Sequence, residues 1–192
     1  MKKRTAFIGA ILSLIPLGQP LLIKKGVVLL TTGLILSISE NLYASDASFY
    51  FQRANKKEEE GDYYGAISDF LKLIEIDPKN AEIHFRIGNI KSRDLKDHTG
   101  ALVDFNNAIK IDPNHSQAFI SRSVVKTFLK DYYGAISDLN KAAEIVPNDT
   151  SVFFNRGIAK TYIGDKKGAC SDWRKSSKIG DKDSDKLLTK YC

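Results

Sequence analysis

The chain has 192 residues, enough for one domain and a leader. Charged residues make up 27% of it and apolar residues 43%, which is an ordinary globular composition. Its formal net charge is +6, but residues 1–44 hold five basic side chains and one acidic one, so they supply most of this charge. Because the remainder lacks a concentrated stripe of basic side chains, we expect no nucleic-acid partner.

The residues that commonly bind metals are few and scattered. His84, His98 and His115 have no metal-ligand spacing, and Cys170 and Cys192 form no CxxC pair. The sequence also shows no nucleophile–base pair and no glycine loop that could hold a phosphate. We therefore predict no metal, no cofactor and no catalytic residue, and we expect that the chain is not an enzyme.

Residues 1–44 have the pattern of a targeting segment. An apolar run of fourteen residues, Gly26 to Ser39, follows Lys24 and Lys25, and Ala44 lies at a suitable cleavage position. A cleavable signal peptide, an uncleaved membrane anchor and a two-pass hairpin all fit. The first two export the domain to the periplasm, a lumen or the far side of the cytoplasmic membrane. The hairpin keeps an integral membrane protein's domain in the cytoplasm, against the positive-inside rule.

The rest of the chain repeats itself. Four similar segments occur in register, GDYYGAISDF, KDHTGALVDF, KDYYGAISDL and GDKKGACSDW. Their anchor alanines are 35, 34 and 34 residues apart: Ala66, Ala101, Ala135 and Ala169. Proline follows the first three alanines at an offset of twelve residues, at Pro78, Pro113 and Pro147. A fixed period of this length predicts stacked supersecondary units.

Each repeat has the pattern of two helices. Ala66, Phe70, Leu73 and Ile76 fall on one helical face. An aspartate precedes each second helix as a predicted N-cap: Asp62, Asp97, Asp131 and Asp165. Only small residues occupy one place of the first helix, which predicts close contact between helix axes: Ala54, Gly88, Ser123 and Gly157. The extra residue of the second repeat is expected in the turn between its helices.

These repeats resemble the tetratricopeptide repeat (TPR), a helix–turn–helix unit of 34 residues. The resemblance implies an all-α fold, a right-handed α-solenoid with a concave side lined by the first helices. We place four units at residues 45–181, divided at about 47–80, 81–115, 116–149 and 150–181. Residues 182–192 are predicted to form a C-terminal capping helix, with Ser184 or Asp183 as its N-cap.

Charged residues recur where this family usually has apolar ones. One place of the first helix holds Arg53, Ile87, Arg122 and Arg156, and another holds Lys57, Lys91, Lys126 and Lys160. The second helix always has an acid before its aromatic place: Asp69, Asp104, Asp138 and Asp172. We predict a ladder of ion pairs that holds the helices in register; a polar track for a ligand is the alternative.

The two cysteines have two interpretations. In an oxidising compartment Cys170 and Cys192 could form a disulfide that ties the capping helix to the last repeat. Otherwise Cys170 is a small buried residue and Cys192 a free terminal thiol.

The resemblance also implies where a ligand would bind. The first helices would line a groove with Phe51, Asn55, Phe85, Asn89, Ile120, Val124, Phe154 and Ile158, and Phe128 and Tyr162 would lie nearer one rim. Such a groove suits an amphipathic helix or an extended peptide. The carboxylate clamp of chaperone-binding relatives is not reproduced, since only Asn55 or Asn89 matches its pattern.

The sequence thus predicts a non-enzymatic scaffold for protein–protein interaction, with a partner protein or peptide in the groove. A part in assembling or maintaining a membrane or envelope complex fits the leader, which would contact the membrane if uncleaved. The alternative is a structural, envelope-organising repeat protein without a specific peptide ligand.

Overall fold

The computed structural model describes residues 22–24, 27–29 and 34–192, and side chains only from residue 46 onward. It divides into two units, Met1–Asp46 and Ala47–Cys192. The first unit contains two antiparallel strands, β1 (Leu22–Lys24) and β2 (Val27–Leu29). Most of the predicted leader lies outside the described residues. No described helix is both long and apolar enough to cross a membrane.

The second unit, residues 47–192, is built from helices. Helix α1 (Leu34–Glu59) begins in the first unit and ends in the second. The others are α2 (Tyr63–Ile76), α3 (Ala81–Asn89), α4 (His98–Ile111), α5 (Ser116–Phe128), α6 (Tyr132–Ile145), α7 (Thr150–Tyr162), α8 (Lys166–Ile179) and α9 (Lys182–Tyr191). Neighbouring helices pack pairwise along the chain, and α5 also contacts α7. The predicted all-α solenoid is confirmed for this unit.

A capping aspartate begins the second helix of every repeat, as predicted. The Asp131 carboxylate accepts a hydrogen bond of 2.9 Å from the Gly134 amide, and Asp62, Asp97 and Asp165 make the same bond. A Cβ atom on Gly134 would lie 2.1 Å from the Asp131 carboxylate. The glycine after each cap is therefore required by the capping geometry itself.

The second repeat absorbs its extra residue differently from the prediction. In the third repeat the Asp131 amide closes the turn by donating to the Lys126 carbonyl, 2.8 Å away. In the second, the Asp97 amide donates to the Lys91 carbonyl, and the longer span is wound into a π-helical turn, Ile90–Asp94. The insertion thus lies at the end of the first helix, because a wider helical turn keeps backbone hydrogen bonds that a longer loop would lose.

The two helices of a repeat approach most closely at the small residue of the first. A Cβ atom on Gly88 would lie 2.7 Å from the ring of Phe105, and one on Gly157 would lie 2.4 Å from Trp173 Nε1. Both rings are buried. The Trp173 indole also donates to the Phe154 carbonyl at 3.2 Å, which fixes the ring over the glycine. The predicted close contact between helix axes is confirmed.

Helix α9 ends the solenoid and covers part of α8. Its N-cap is Asp181, not Ser184 or Asp183 as predicted. The Asp181 carboxylate accepts from both the amide and the hydroxyl of Ser184 and from the Ser176 hydroxyl, so it serves two helices at once. Cys192 at the end of α9 is joined to Cys170 of α8 by a disulfide bond.

We expect Gly157→Ala to lower the free energy of unfolding by about 1–3 kcal/mol, because the added methyl group overlaps the fixed Trp173 ring. Urea denaturation measures this change. Helix propensity alone would stabilise alanine by about 1 kcal/mol, so a stabilised variant would contradict the close packing. In the double variant with Trp173→Phe, the changes in the free energy of unfolding should not add, because the two sites are in contact.

Candidate functional site

The candidate site is the face formed by the exposed sides of the first helices, which we call the groove. In its N-terminal half the predicted residues engage one another. Asn55 accepts a hydrogen bond of 2.5 Å from Arg86, whose guanidinium also donates to Glu58 at 2.7 Å. The same guanidinium lies 5.4 Å from the Phe51 ring centroid. This half is therefore a polar surface on which Arg86, Asn55 and Glu58 bind one another.

Two other predicted groove residues are less available than expected. Ile120 is only 7% exposed and packs in the core cluster with Phe153 and Leu139. Phe85 is half-buried, because its ring lies 4.8 Å from that of His115 and packs on the core cluster of Ala101, Phe105 and Val125. Ile120 thus stabilises the repeat instead of lining the groove, since its side of α5 faces the neighbouring helices.

The C-terminal half of the groove contains an open cleft of about 460 Å³ between the third and fourth repeats. Val124 and Ile158 line it, as predicted for the groove. The other lining residues are Thr127, Phe128, Lys130, Tyr132, Asn155 and Tyr162. Five of the eight side chains are aliphatic or aromatic and none is acidic. We call this the aromatic cleft.

Stacked rings form one edge of the aromatic cleft. Tyr132 stacks on Tyr162 with centroids 4.6 Å apart and planes inclined by 4°, and His98 stacks on Phe128 at 5.2 Å and 5°. In both pairs the first residue of one repeat's second helix meets the end of the next repeat's first helix. Phe128 and Tyr162 nevertheless remain 66% and 60% exposed. Large exposed rings beside a concave surface are typical of interaction sites.

Sequence reasoning placed Phe128 and Tyr162 at the rim but did not identify Tyr132 and His98. The available signal was positional, because both follow directly after a capping aspartate in aligned repeats. Only the stacking of successive repeats brings that position next to the following first helix.

A second cleft of about 260 Å³ continues the groove past the start of α7. Phe154, a predicted groove residue, lines it together with Thr150, Ser151 and the first turn of α9. Asn155 borders both clefts. The groove surface therefore runs along the whole of α7 and ends at the capping helix.

The ladder of ion pairs is confirmed in three repeats. In the third, Arg122 donates to both oxygens of Asp138, at 2.8 Å from Nε and 2.6 Å from Nη2, and Lys126 Nζ lies 2.9 Å away. Asp138 is only 4% exposed. The same arrangement joins Arg53 and Lys57 to Asp69, and Arg156 and Lys160 to Asp172.

The ladder also connects neighbouring repeats. Arg122 Nη1 donates to Asn106 of the preceding second helix at 2.6 Å, and Arg156 Nη1 donates likewise to Asn140 at 2.8 Å. Each of these arginines thus links its own helix to two others. In the first repeat, hydrogen bonds from Arg53 are the main reason why the pKa of Asp69 lies below its ordinary value, although burial opposes the shift.

The second repeat departs from this pattern. Ile87 replaces the arginine and is buried, so Lys91, at 2.7 Å, is the one cation that pairs with Asp104 among the described residues. The place of Asn106 in the preceding repeat is taken by Leu71. The bridge to the first repeat is made by Arg86 instead, through Glu58. Both partners of this inter-repeat hydrogen bond are therefore apolar here: Ile87 stands in the place of the arginine and Leu71 in the place of the asparagine.

The described residues contain no group of three or more His, Cys, Asp or Glu side chains that could hold a metal ion. His84 is partly buried, and desolvation lowers its pKa below the ordinary value, while Asp104 opposes the shift.

The second unit has the fold of a TPR solenoid, and its N-terminal part matches family models of this repeat. A family model described as TPR repeat matches residues 59–94, and one described as Tetratricopeptide repeat matches residues 81–115. No curated protein matches the chain in sequence.

Solved structures share the fold. A MamA fragment from Desulfovibrio magneticus RS-1 is similar with a TM-score of 0.69 and 18% identity, covering 74% of this chain and 81% of that one. YrrB, described as a TPR protein with an unusual peptide-binding site, has a TM-score of 0.66 and 19% identity, covering 82% and 87%. The first TPR domain of Spaghetti (RPAP3), solved with an HSP90 peptide, has a TM-score of 0.59 and 22% identity, covering 62% and 94%.

Asp138→Ala should destabilise the fold by about 3–5 kcal/mol, because it leaves Arg122 and Lys126 without their buried counter-charge. Asp112→Ala is the matched control, since the Asp112 side chain accepts an exposed hydrogen bond from the Asn114 amide and has no ion pair among the described residues. Thermal unfolding compares the two variants. Equal melting temperatures would contradict a stabilising ladder.

Proposed function

We propose that the protein is a non-enzymatic scaffold that binds a partner peptide or helix in the groove. The observation that carries this proposal is the aromatic cleft, where Phe128 and Tyr162 stay largely exposed beside Val124 and Ile158. Burying exposed rings of this size is a main source of binding energy at protein interfaces. The cleft volume lies within the usual range for ligand sites, about 300–1,000 Å³.

The two halves of the groove have different parts in this proposal. In the N-terminal half Arg86, Asn55 and Glu58 satisfy one another, so a ligand would have to break existing bonds there. The aromatic cleft has apolar walls and an unobstructed opening. The partner's main contacts are therefore with the third and fourth repeats.

Two features support placement outside the cytoplasm. The sequence of residues 1–44 has the pattern of a signal peptide or anchor. The bond between Cys170 and Cys192 is of a kind that persists in oxidising compartments. We therefore propose an exported or membrane-tethered protein that helps to assemble or maintain a membrane or envelope complex.

The groove is tested by replacing Phe128 and Tyr162 together with serine. We expect a partner captured saturably by the unaltered full chain to bind at least about tenfold more weakly, because the aromatic anchors are lost. The control replaces Tyr64 and Tyr133 with serine, since these rings are 75% and 74% exposed on the second helices. Equal loss in both variants, or no loss in either, would favour the structural alternative.

Export is tested by N-terminal sequencing of the native protein after cell fractionation. We expect the chain to begin after Ala44, because this residue follows the apolar run at a suitable distance. An intact N-terminus in the membrane fraction would indicate an anchor. Recovery of the intact chain from the cytoplasm would contradict the proposal.

A further inference from the structure

The chemistry of the groove ligand can be specified from the aromatic cleft, and this inference rests on the proposed function. We propose that the cleft receives an extended peptide segment of a partner protein in which a bulky aromatic or aliphatic residue lies next to carboxylates. Lys130 is the residue that selects the carboxylates.

Lys130 occupies a backbone position that the fold would fill better with glycine. The turn between the two helices of each repeat passes through the left-handed region, at Gly61 (φ 80°), Lys96 (φ 57°), Lys130 (φ 64°) and Gly164 (φ 79°). Glycine adopts this conformation without strain, whereas a side chain is disfavoured there. Strained residues are typically found where function needs them.

The two lysines at this turn position differ in what they contact. Lys96 Nζ donates a hydrogen bond of 2.5 Å to the Arg93 carbonyl, so it completes its own turn. The Lys130 ammonium group makes no hydrogen bond or ion pair with any part of the chain that the structure describes, and the residue borders the aromatic cleft. A local stabilising contact therefore explains Lys96 but not Lys130.

The lysines on the two first helices that line the cleft, α5 and α7, are already paired with carboxylates. Lys126 Nζ lies 2.9 Å from Asp138, and Lys160 Nζ lies 2.8 Å from Asp172. No acidic side chain lines the cleft. Lys130 is thus the one charged residue among the eight that line the cleft, its charge is uncompensated, and a carboxylate on the ligand would complement it.

The wider charge distribution favours the same partner. Residues 47–115 carry ten basic and twelve acidic side chains, whereas residues 116–181 carry eleven basic and seven acidic ones. The half of the solenoid that holds the cleft is therefore positive and the other half negative. Such a field draws an anionic segment toward the third and fourth repeats.

The apolar part of the ligand follows from the walls of the cleft. Val124, Ile158 and the stacked rings of Tyr132 and Tyr162 surround it. An aromatic or large aliphatic side chain would bury most of its surface against them. The carboxylates of the ligand would lie on the Lys130 side of this anchor, and not toward the second cleft, where Asp181 and Asp183 lie.

Three labelled synthetic peptides test the inference on the full chain by fluorescence anisotropy. Each has a central Trp-Leu pair, flanked by glutamates in the first, glutamines in the second and lysines in the third. We expect the glutamate peptide to bind about three- to fivefold more tightly than the glutamine peptide at low salt, as for an exposed ion pair. The lysine peptide should bind most weakly.

Three variants separate a recognition role from a structural one. Lys130→Glu should abolish or reverse the preference for the glutamate peptide, whereas Lys96→Glu, at the same turn position, should leave it unchanged. Lys130→Gly should weaken glutamate-peptide binding and yet raise the melting temperature, because glycine relieves the left-handed strain. If Lys130 only stabilised the fold, Lys130→Gly would not weaken binding while raising the melting temperature.

The outcomes distinguish this inference from the proposed function. Suppose that the unaltered chain binds all three peptides with equal affinity and that replacing Phe128 and Tyr162 together with serine removes this binding. The inference is then wrong, and the groove remains the binding site. If Lys130→Glu and Lys96→Glu weaken the glutamate peptide equally, the inference is also wrong. Absence of binding for every peptide would count against both.

Discussion

The structure depends on the close approach of two helices at one small residue in each repeat. Where that residue is Gly157, the indole of Trp173 lies directly over the backbone, and where it is Gly88, the Phe105 ring does. In the first, third and fourth repeats this proximity brings the buried carboxylate of the second helix within reach of an arginine and a lysine on the first. Because the carboxylate is desolvated, the favourable energy of the pairing depends on both cations staying in place. Packing and electrostatics are therefore coupled within these three hairpins.

The same ladder sets how repeats follow one another. An arginine that holds its own aspartate with two nitrogens still has a third for an asparagine on the preceding helix, as Arg122 has for Asn106. The second repeat lacks this arginine. Ile87 is buried, and Arg86 makes the inter-repeat bridge from a neighbouring position on the groove side. That exchange leaves the N-terminal half of the groove polar, with Arg86 bound to Asn55 and Glu58, while the C-terminal half keeps its open aromatic cleft.

The last repeat of a solenoid has an apolar face that no further repeat covers, and a capping element must cover it. Helix α9 lies on α8, with the Tyr191 ring 6.0 Å from that of Trp173, and the disulfide ties its last residue down. Asp181 anchors its other end by accepting bonds from both helices. The cap also contributes the final wall of the second cleft, so the groove has a defined end.

By itself the sequence determined the repeat, its period, the capping aspartates, the small residues and the partners in the ladder. These are local or periodic features, and periodicity reports which face of a helix is buried. It did not reveal that Ile120 is buried, that Asp181 caps α9, or that a π-helical turn absorbs the extra residue. The sequence placed Val124, Ile158, Phe128 and Tyr162 in the groove or at its rim, but only the tertiary structure decided that they enclose a cleft with Tyr132 and Lys130. The lining residues come from three helices of two repeats, and the spacing between repeats depends on packing that no single repeat contains.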